Sequence, residues 1–576
     1  LKIIEHYIAL TEQFTVLEIN KEFLVTRTEL AEVLYCSERN VVHILKKMQE
    51  KGWIVWKSGR GRGVSSTITF RKDSKELFLE TAITWIKKGE TSKIFSFIEQ
   101  LNHNQKQAYY SILPQAFGFH EISNETEKMD VLTFPYFRQL FSLHPAYVER
   151  QSERHMVSQC FDTLIEYNLS TNIFTPKLAH YWTFSLDFTE YTFYIRKGIY
   201  FHHGKELTTK DIAFTFNQLK ESPMKWLIEN LTNVIEVDLY TVKFQFLRPQ
   251  YYWLNLLSSP KFSIIPDQYG GMTPEFFSFK PLGTGPYQIK ERTNQQLTLE
   301  THPTYFSGRA HLDRIVMVFV PEIEHYVSQQ NFHGELVTYF PFLSKQQAPK
   351  SFKELTRTDL SIKYLMWNDR SKTGNKNPQF KSLFSSILNK KKLVASLGGN
   401  RYVPTDYMSQ IVFEETSLDP LDYNLEPITL TALTYNLVPN LEDLDWIQAQ
   451  LKFNNISLNI TILDYQDFID VKFHKDVDLF YSEFVREENN LASLLNLFYC
   501  ETSIVFNGLS QAKRKQLAEL SRERDGIYKV EHLLLEENIL LPLYSTSQVA
   551  YFHESIRGTS LSNVGLAPFK DLFFIR

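Results

Sequence analysis

Apolar and polar positions near the start of the chain follow a helical period with clear boundaries. Thr26-x-x-Glu29 is a capping box, in which the hydroxyl accepts from the Glu29 amide and the carboxylate returns to the Thr26 amide. It predicts a short helix from Arg27 to Leu34. Ser37 then caps a second helix in which Val41, Ile44, Leu45 and Met48 stand at i, i+3, i+4 and i+7, a single buried stripe. On its other face Arg39, His43 and Lys46 fall within about 60° of one another. Gly52 ends that helix, and WIVW (53–56) and VSSTITF (64–70) read as two strands around the KSGRGRG turn. Two helices joined by a tight turn and followed by a hairpin are the layout of a winged helix-turn-helix, placed at 1–72.

Beyond it, 74–101 reads as helical, with one stripe at Leu79, Ile83 and Ile86, a break at Gly89, and a second stripe at Ile94, Phe97, Ile98 and Leu101. These helices are expected to pack on the winged helix or to pair in a homodimer. Polar, turn-rich segments at 102–107 and 122–130 place the main boundary near residue 125 and give a helical connector over 73–130. From 131 onward, short strands such as YTFYIR (191–196), TVKFQFL (241–247), RIVMVFV (314–320) and ITLTALTY (428–435) alternate with helical stretches. The fold class is therefore multidomain α/β. Thr208-x-x-Asp211 is another capping box, opening a helix with Ile212, Phe216 and Leu219 on one side.

Composition adds limits. The 576 residues, 43% hydrophobic and 22% charged with a net charge of −4, exclude a disordered chain and a uniformly basic nucleic-acid coat. The charge is uneven, because residues 1–72 carry +4 and the remainder −8. A basic first domain on an acidic body points to an anionic partner at the N-terminal end, with double-stranded DNA foremost. Cys36, Cys160 and Cys500 are too scattered for a disulfide framework or a zinc ribbon, and the first residues lack the pattern of a secretion signal. No window reaches the roughly 20 apolar residues that span a bilayer. The expectation is a cytoplasmic protein with no membrane partner.

Candidate chemistry lies in the second helix and the hairpin tip. Arg39 is the leading base reader, since a guanidinium matches guanine O6 and N7, with Ser37, Asn40, Val42 and His43 beside it. Lys46, Lys47, Arg60 and Arg62 suit phosphates. The modest +4 also leaves open a winged helix that meets protein instead of DNA. The chain has no HExxH, GxxxxGK[ST] or GxSxG motif, and the adjacent His202 and His203 would point to opposite faces of a strand. No enzyme activity, metal or cofactor is expected.

The stretch IRKGIYFHHGKELTTKDIAFTFNQL (195–219) resembles the signature of the family 5 extracytoplasmic solute-binding proteins. FSLHPAYVERQSERHMVSQCFDTLIEYN (141–168), PKLAHYW (176–182), PLGTGPYQI (281–289), YFSGRAHLDRI (305–315), LNKKKLVASLGGN (388–400) and LPLYSTSQVAYFHESIRG (541–558) follow in that family's order. The resemblance implies a class II periplasmic-binding-protein-like clamp over 131–576, with a second lobe at roughly 330–525 and a small solute enclosed between the lobes. A winged helix fused to such a clamp resembles the SgrR-type transcriptional regulators. This implies a sensor that alters DNA binding when a solute is held. Peptide carriers of the family have a Trp-x-Ala-Asp-Tyr-x-Asp-Pro-like stretch whose first Asp holds the peptide amine. Here DLFYSEFVREENN (478–490) departs from it, leaving Glu483 as a substitute and favouring a sugar, a sugar phosphate or another small metabolite over a peptide. Trp367 and Tyr481 are candidate stacking walls of the same cleft.

Overall fold

The computed structural model describes residues 2–14, 19–59, 65–123, 128–320, 339–340, 351–358, 361–371, 377–413, 426–470, 474, 476–562 and 565–575. The chain divides into two compact units, the first made of Leu1–Gln139, Thr293–Leu297 and Arg314–Tyr339 and the second of the remainder.

The first unit opens with helix α1 (Lys2–Gln13) and strand β1 (Glu22–Val25), ahead of the elements predicted from the capping signals. Helix α2 (Arg27–Val33) starts at Thr26, whose amide donates to Glu29 at 2.7 Å while its hydroxyl accepts from the Glu29 amide at 3.2 Å. Helix α3 (Glu38–Glu50) starts at Ser37 and buries Val41, Ile44, Leu45 and Met48. Strands β2 (Ile54–Lys57) and β3 (Ser66–Phe70) form the hairpin, and β1 pairs with β3 on its free edge, giving the order β1-β3-β2. Tyr7 of α1 is fully buried, edge-on to Trp53 and Phe70, and its hydroxyl donates to the Lys72 carbonyl at 2.7 Å. The first helix therefore ties both ends of the hairpin to the core.

Helices α4 (Ser74–Lys87), α5 (Ser92–Glu99) and α6 (His103–Ile112) follow. The buried face of α4 is Leu77, Phe78, Ala82, Trp85 and Ile86, so the stripe predicted through Leu79 and Ile83 lies on the neighbouring, half-buried side. Phe78 meets Phe97 and Tyr109 at ring-centroid distances of 5.3 and 4.9 Å, which encloses this face within the unit.

The domain boundary differs from expectation. Residue 125 itself lies outside the described residues, but strand β4 (Gly118–Ser123) before it pairs antiparallel with β5 (Lys128–Tyr136) after it, and both belong to the first unit. The other edge of β5 pairs in parallel with strand Arg314–Phe319, Val131 standing opposite Arg314. A parallel partner must return from a distant part of the chain. The unit therefore closes only when residues near 314 arrive, and no local composition change marks it.

The two largest sheets wholly within the second unit define its lobes. Strands Ala179–Phe184, Glu190–Ile195, Leu231–Glu236 and Thr241–Phe246 form an antiparallel sheet covered by helix α7 (Thr209–Leu219), whose Ile212, Phe216 and Leu219 are buried as the spacing predicts. This is the first lobe, together with helix Gln151–Cys160. The second lobe is a mixed six-stranded sheet whose centre is Ser361–Trp367, flanked by Leu479–Val485 and Leu540–Thr546. Since Leu540–Thr546 lies inside this sheet, the lobe extends past the expected limit near 525.

The PLGTGPY turn is a close approach of backbones. The Gly285 amide donates to the Cys160 carbonyl at 2.9 Å, and a Cβ on Gly285 would stand 2.4 Å from the Cys160 carbonyl carbon. His202 reinforces the turn, accepting from the Gly283 amide at 3.1 Å while its Nε2 lies 3.0 Å from the Gly285 carbonyl, and burial pushes its pKa down to about 3. Gly285→Ala is expected to displace the end of helix Gln151–Cys160 and to cost about 1–3 kcal/mol, read as a lower midpoint in urea unfolding.

Candidate nucleic-acid interface and solute cleft

Helix α3 presents two unlike faces. Its apolar stripe is buried against the unit, while Arg39, Asn40, Val42, His43, Lys46 and Lys47 are all exposed, as is the capping Ser37. Ser37 accepts from the Asn40 amide, and Thr28 of α2 donates to Glu38 at 2.9 Å, which fixes the angle between the two helices. Arg27 donates to Ser58 at 3.0 Å, linking α2 to the base of the hairpin turn. The exposed face of α3 is therefore basic and held by polar contacts at its start. Arg60 and Arg62 lie outside the described residues.

In the second unit, the proposed cleft residues sit elsewhere than expected. Trp367 is 2% exposed and packs edge-on to Phe384 at 5.1 Å, and Tyr481 is 0% exposed with its hydroxyl donating to Asp443. Glu483 pairs with Lys363 at 2.9 Å, and that lysine also donates to Asn440 at 2.7 Å. Burial alone would raise the Glu483 pKa, but the Lys363 ammonium and a hydrogen bond from Ser361 overcome it and hold the carboxyl below its usual range. The reason is strand parity. Leu365, Trp367, Leu479 and Tyr481 face one core, whereas Ile362, Tyr364, Met366, Phe480 and Phe484 face another that is continuous with Phe216, Phe244 and Trp253 of the first lobe. Trp367, Tyr481 and Glu483 thus belong to the side of the sheet turned away from the first lobe, and they are core and ion-pair residues.

The seam between the two lobes of this unit is closed by other side chains. Arg154 reaches across, donating to the Val485 carbonyl at 3.0 Å, with Glu487 3.7 Å away. Lys261, with 0% of its side chain exposed, donates to Glu149, which also accepts from Thr502, and Cys500 lies 3.6 Å from the same ammonium. Arg150 is sandwiched between Phe141 and Tyr465, 4.4 and 4.0 Å from the ring centroids. Asn255 donates to Asn489 at 3.2 Å, and Tyr252 to the Glu523 carbonyl at 2.9 Å. Sequence reasoning missed Glu149, Arg154, Lys261 and Glu487. Glu149 and Arg154 stand in a cluster of charges within FSLHPAYVERQSERH, indistinguishable by spacing from a solvated helix, while Lys261 and Glu487 lie in distant segments with no pattern that links them to it.

These features define a winged helix-turn-helix joined to a two-lobed solute-binding clamp, and known proteins share both parts. The chain belongs to the bacterial extracellular solute-binding proteins, family 5, whose middle region matches residues 174–504. Residues 2–118 match the N-terminal region of the sugar transport-related sRNA regulators, so the arrangement is that of an SgrR-type regulator with a family 5 binding domain. The YhjP protein of Bacillus subtilis is 28% identical over 98% of both chains, and the HTH-type transcriptional regulator SgrR of Photorhabdus laumondii is 26% identical over 96% of both. Among solved structures, the periplasmic binding protein DppA of Helicobacter pylori in complex with peptide STSA is 18% identical, with a TM-score of 0.64 over 77% of this chain and 98% of its own. No helix among the described residues is long and apolar enough to cross a membrane.

Burial opposes ionisation of Glu149, yet the Lys261 and Arg154 cations, with hydrogen bonds from Lys261 and Thr502, keep its pKa below the ordinary value. A depressed carboxyl stabilises the fold fully above its unfolded pKa of about 4.3 and ceases to do so as pH falls through the folded value. Glu149→Gln leaves Lys261 buried without its carboxylate and is expected to cost about 3–5 kcal/mol in urea unfolding at pH 7. The gap between variant and wild type should begin to narrow below pH ~4, where the carboxyl of the unfolded wild-type chain takes up its proton, and close only once pH has fallen through the depressed folded value.

Proposed function

We propose that this chain is a cytoplasmic, solute-responsive transcriptional regulator that performs no chemistry on its ligand. The observation that carries the reading is the exposed basic face of α3, on a capped helix whose opposite face is buried. In this reading α3 enters the major groove, where Arg39 contacts a guanine edge and Asn40, Val42 and His43 meet neighbouring base edges. Lys46, Lys47, Arg60 and Arg62 contact phosphates on either side. The SgrR-named relatives, similar along nearly the whole chain, support the same assignment.

The second unit takes a small solute, whether sugar, sugar phosphate or peptide-like, in the seam that Arg154, Glu149, Lys261 and Glu487 now occupy. Entry requires those contacts to part or to re-form around the solute. The solute shifts the balance between closed and parted clamps only by its difference in affinity for the two. Because one chain carries clamp and winged helix, that shift becomes a change in DNA affinity.

Fluorescence anisotropy of the full chain with duplexes tiled across its own upstream region tests the DNA half. The expected result is site-selective binding that weakens steeply between 50 and 200 mM salt, as counterion release requires. Arg39→Ala should lose about 1–3 kcal/mol of discrimination against mismatched duplexes. Binding that is absent at low salt, or insensitive to salt, would turn the assignment toward a protein partner.

A further inference from the structure

Helices α2, α3 and α4 all end in the same backbone motif, and the residue at its left-handed position differs once. After α3, the Gly52 amide donates to the Gln49 carbonyl at 2.9 Å and the Trp53 amide to Met48 at 3.0 Å, with Gly52 at φ 72°. After α4, Gly89 donates to Ile86 at 2.9 Å and Glu90 to Trp85 at 2.8 Å, with Gly89 again at φ 72°. Helix Gly526–Glu536 of the second unit repeats the pattern with Asn538 at φ 49°. Glycine, and less often asparagine, occupies this position because a Cβ is disfavoured there.

After α2 the same two bonds form, from Tyr35 to Glu32 at 3.3 Å and from Cys36 to Ala31 at 3.0 Å, but the residue at φ 47° is tyrosine. A bulky side chain is a rare occupant of this region and an unfavourable one. Packing gives no return for it, since Tyr35 is 96% exposed. Its hydroxyl makes no hydrogen bond among the described residues, whereas the buried Tyr7 and Tyr109 rings pack on neighbouring aromatics. The fold would be met by glycine, and tyrosine stands there instead.

Its location suggests a reason. Tyr35 is two residues before Ser37, in the turn that leads into the start of α3. When a recognition helix enters a major groove by its N-terminal residues, the turn before it lies against the groove wall, which is phosphate backbone. We propose that Tyr35 is a DNA-contact residue whose phenol hydroxyl donates to a phosphate oxygen and fixes the register of α3 in the groove. This rests on the DNA-binding reading above and adds to it a contact outside the basic face.

The test pairs affinity with stability in the full-length chain. On upstream duplexes followed by anisotropy, Tyr35→Phe and Tyr35→Gly are each expected to bind about tenfold more weakly, the size of a hydrogen bond to a charged acceptor. The loss should be equal on the preferred duplex and on a mismatched one, because a phosphate contact carries no base information, while Arg39→Ala loses discrimination. In thermal unfolding Tyr35→Gly should melt no lower than wild type, since it gives up strain and no packing. Wild-type affinity in Tyr35→Phe, or a lowered melting temperature in Tyr35→Gly, overturns the assignment and leaves the DNA-binding reading standing. A wild-type chain that binds no duplex at low salt overturns both.

Discussion

An ammonium group removed from water needs a carboxylate at hand, and the second unit is arranged around that requirement at Lys261. Its side chain has no exposure, so Glu149 must accompany it, and Glu149 in turn takes Thr502 from the other lobe and stands near Arg154. Arg154 extends the link to the Val485 carbonyl on a strand beside the sheet centre. Removing Glu149 would leave the Lys261 ammonium buried without its carboxylate, so this contact and the two lobes come together as a set. The apolar core running from Phe216 and Trp253 to Phe480 and Leu494 supplies non-directional adhesion, and the ion cluster supplies the register.

In the function proposed above, the same seam is what a solute would have to enter. A clamp whose inner surface is lined by its own paired charges has a closed arrangement that is already satisfied, so a ligand has to replace those pairings with ones at least as good. The first unit works by a different economy of contacts. Its helices are set by local caps at Thr26, Ser37 and Asp73, and the outer face of α3 is exposed.

Much of the first unit was legible because its signals are local. A capping box and a four-residue stripe specify a helix and its buried side within a dozen residues, and the same holds for Thr208 and Asp211 in the second unit. Helix α1 and strand β1 were not read, since β1 is defined by its pairing with β3, more than forty residues away. The boundary near 125 failed for the same reason, β5 being completed by a parallel strand from 314–319.

The candidate cleft residues divide along a similar line. Local patterns specified the wing hairpin and several strands of the large body, the capped helices, the exposed basic face of α3 and the order of segments shared with the solute-binding family, because each depends on neighbours within a few turns. The sequence by itself could not say which face of Ser361–Trp367 meets the other lobe. Alternation puts Trp367 and Tyr364 on opposite sides whichever way the sheet is turned, and only the packing of helices on both faces assigned Trp367 and Tyr481 to the far core. Tertiary structure alone also brought Glu149, Lys261, Glu487 and Thr502 into one neighbourhood, since charge attraction in a buried seam depends on distance in space and leaves no period along the chain.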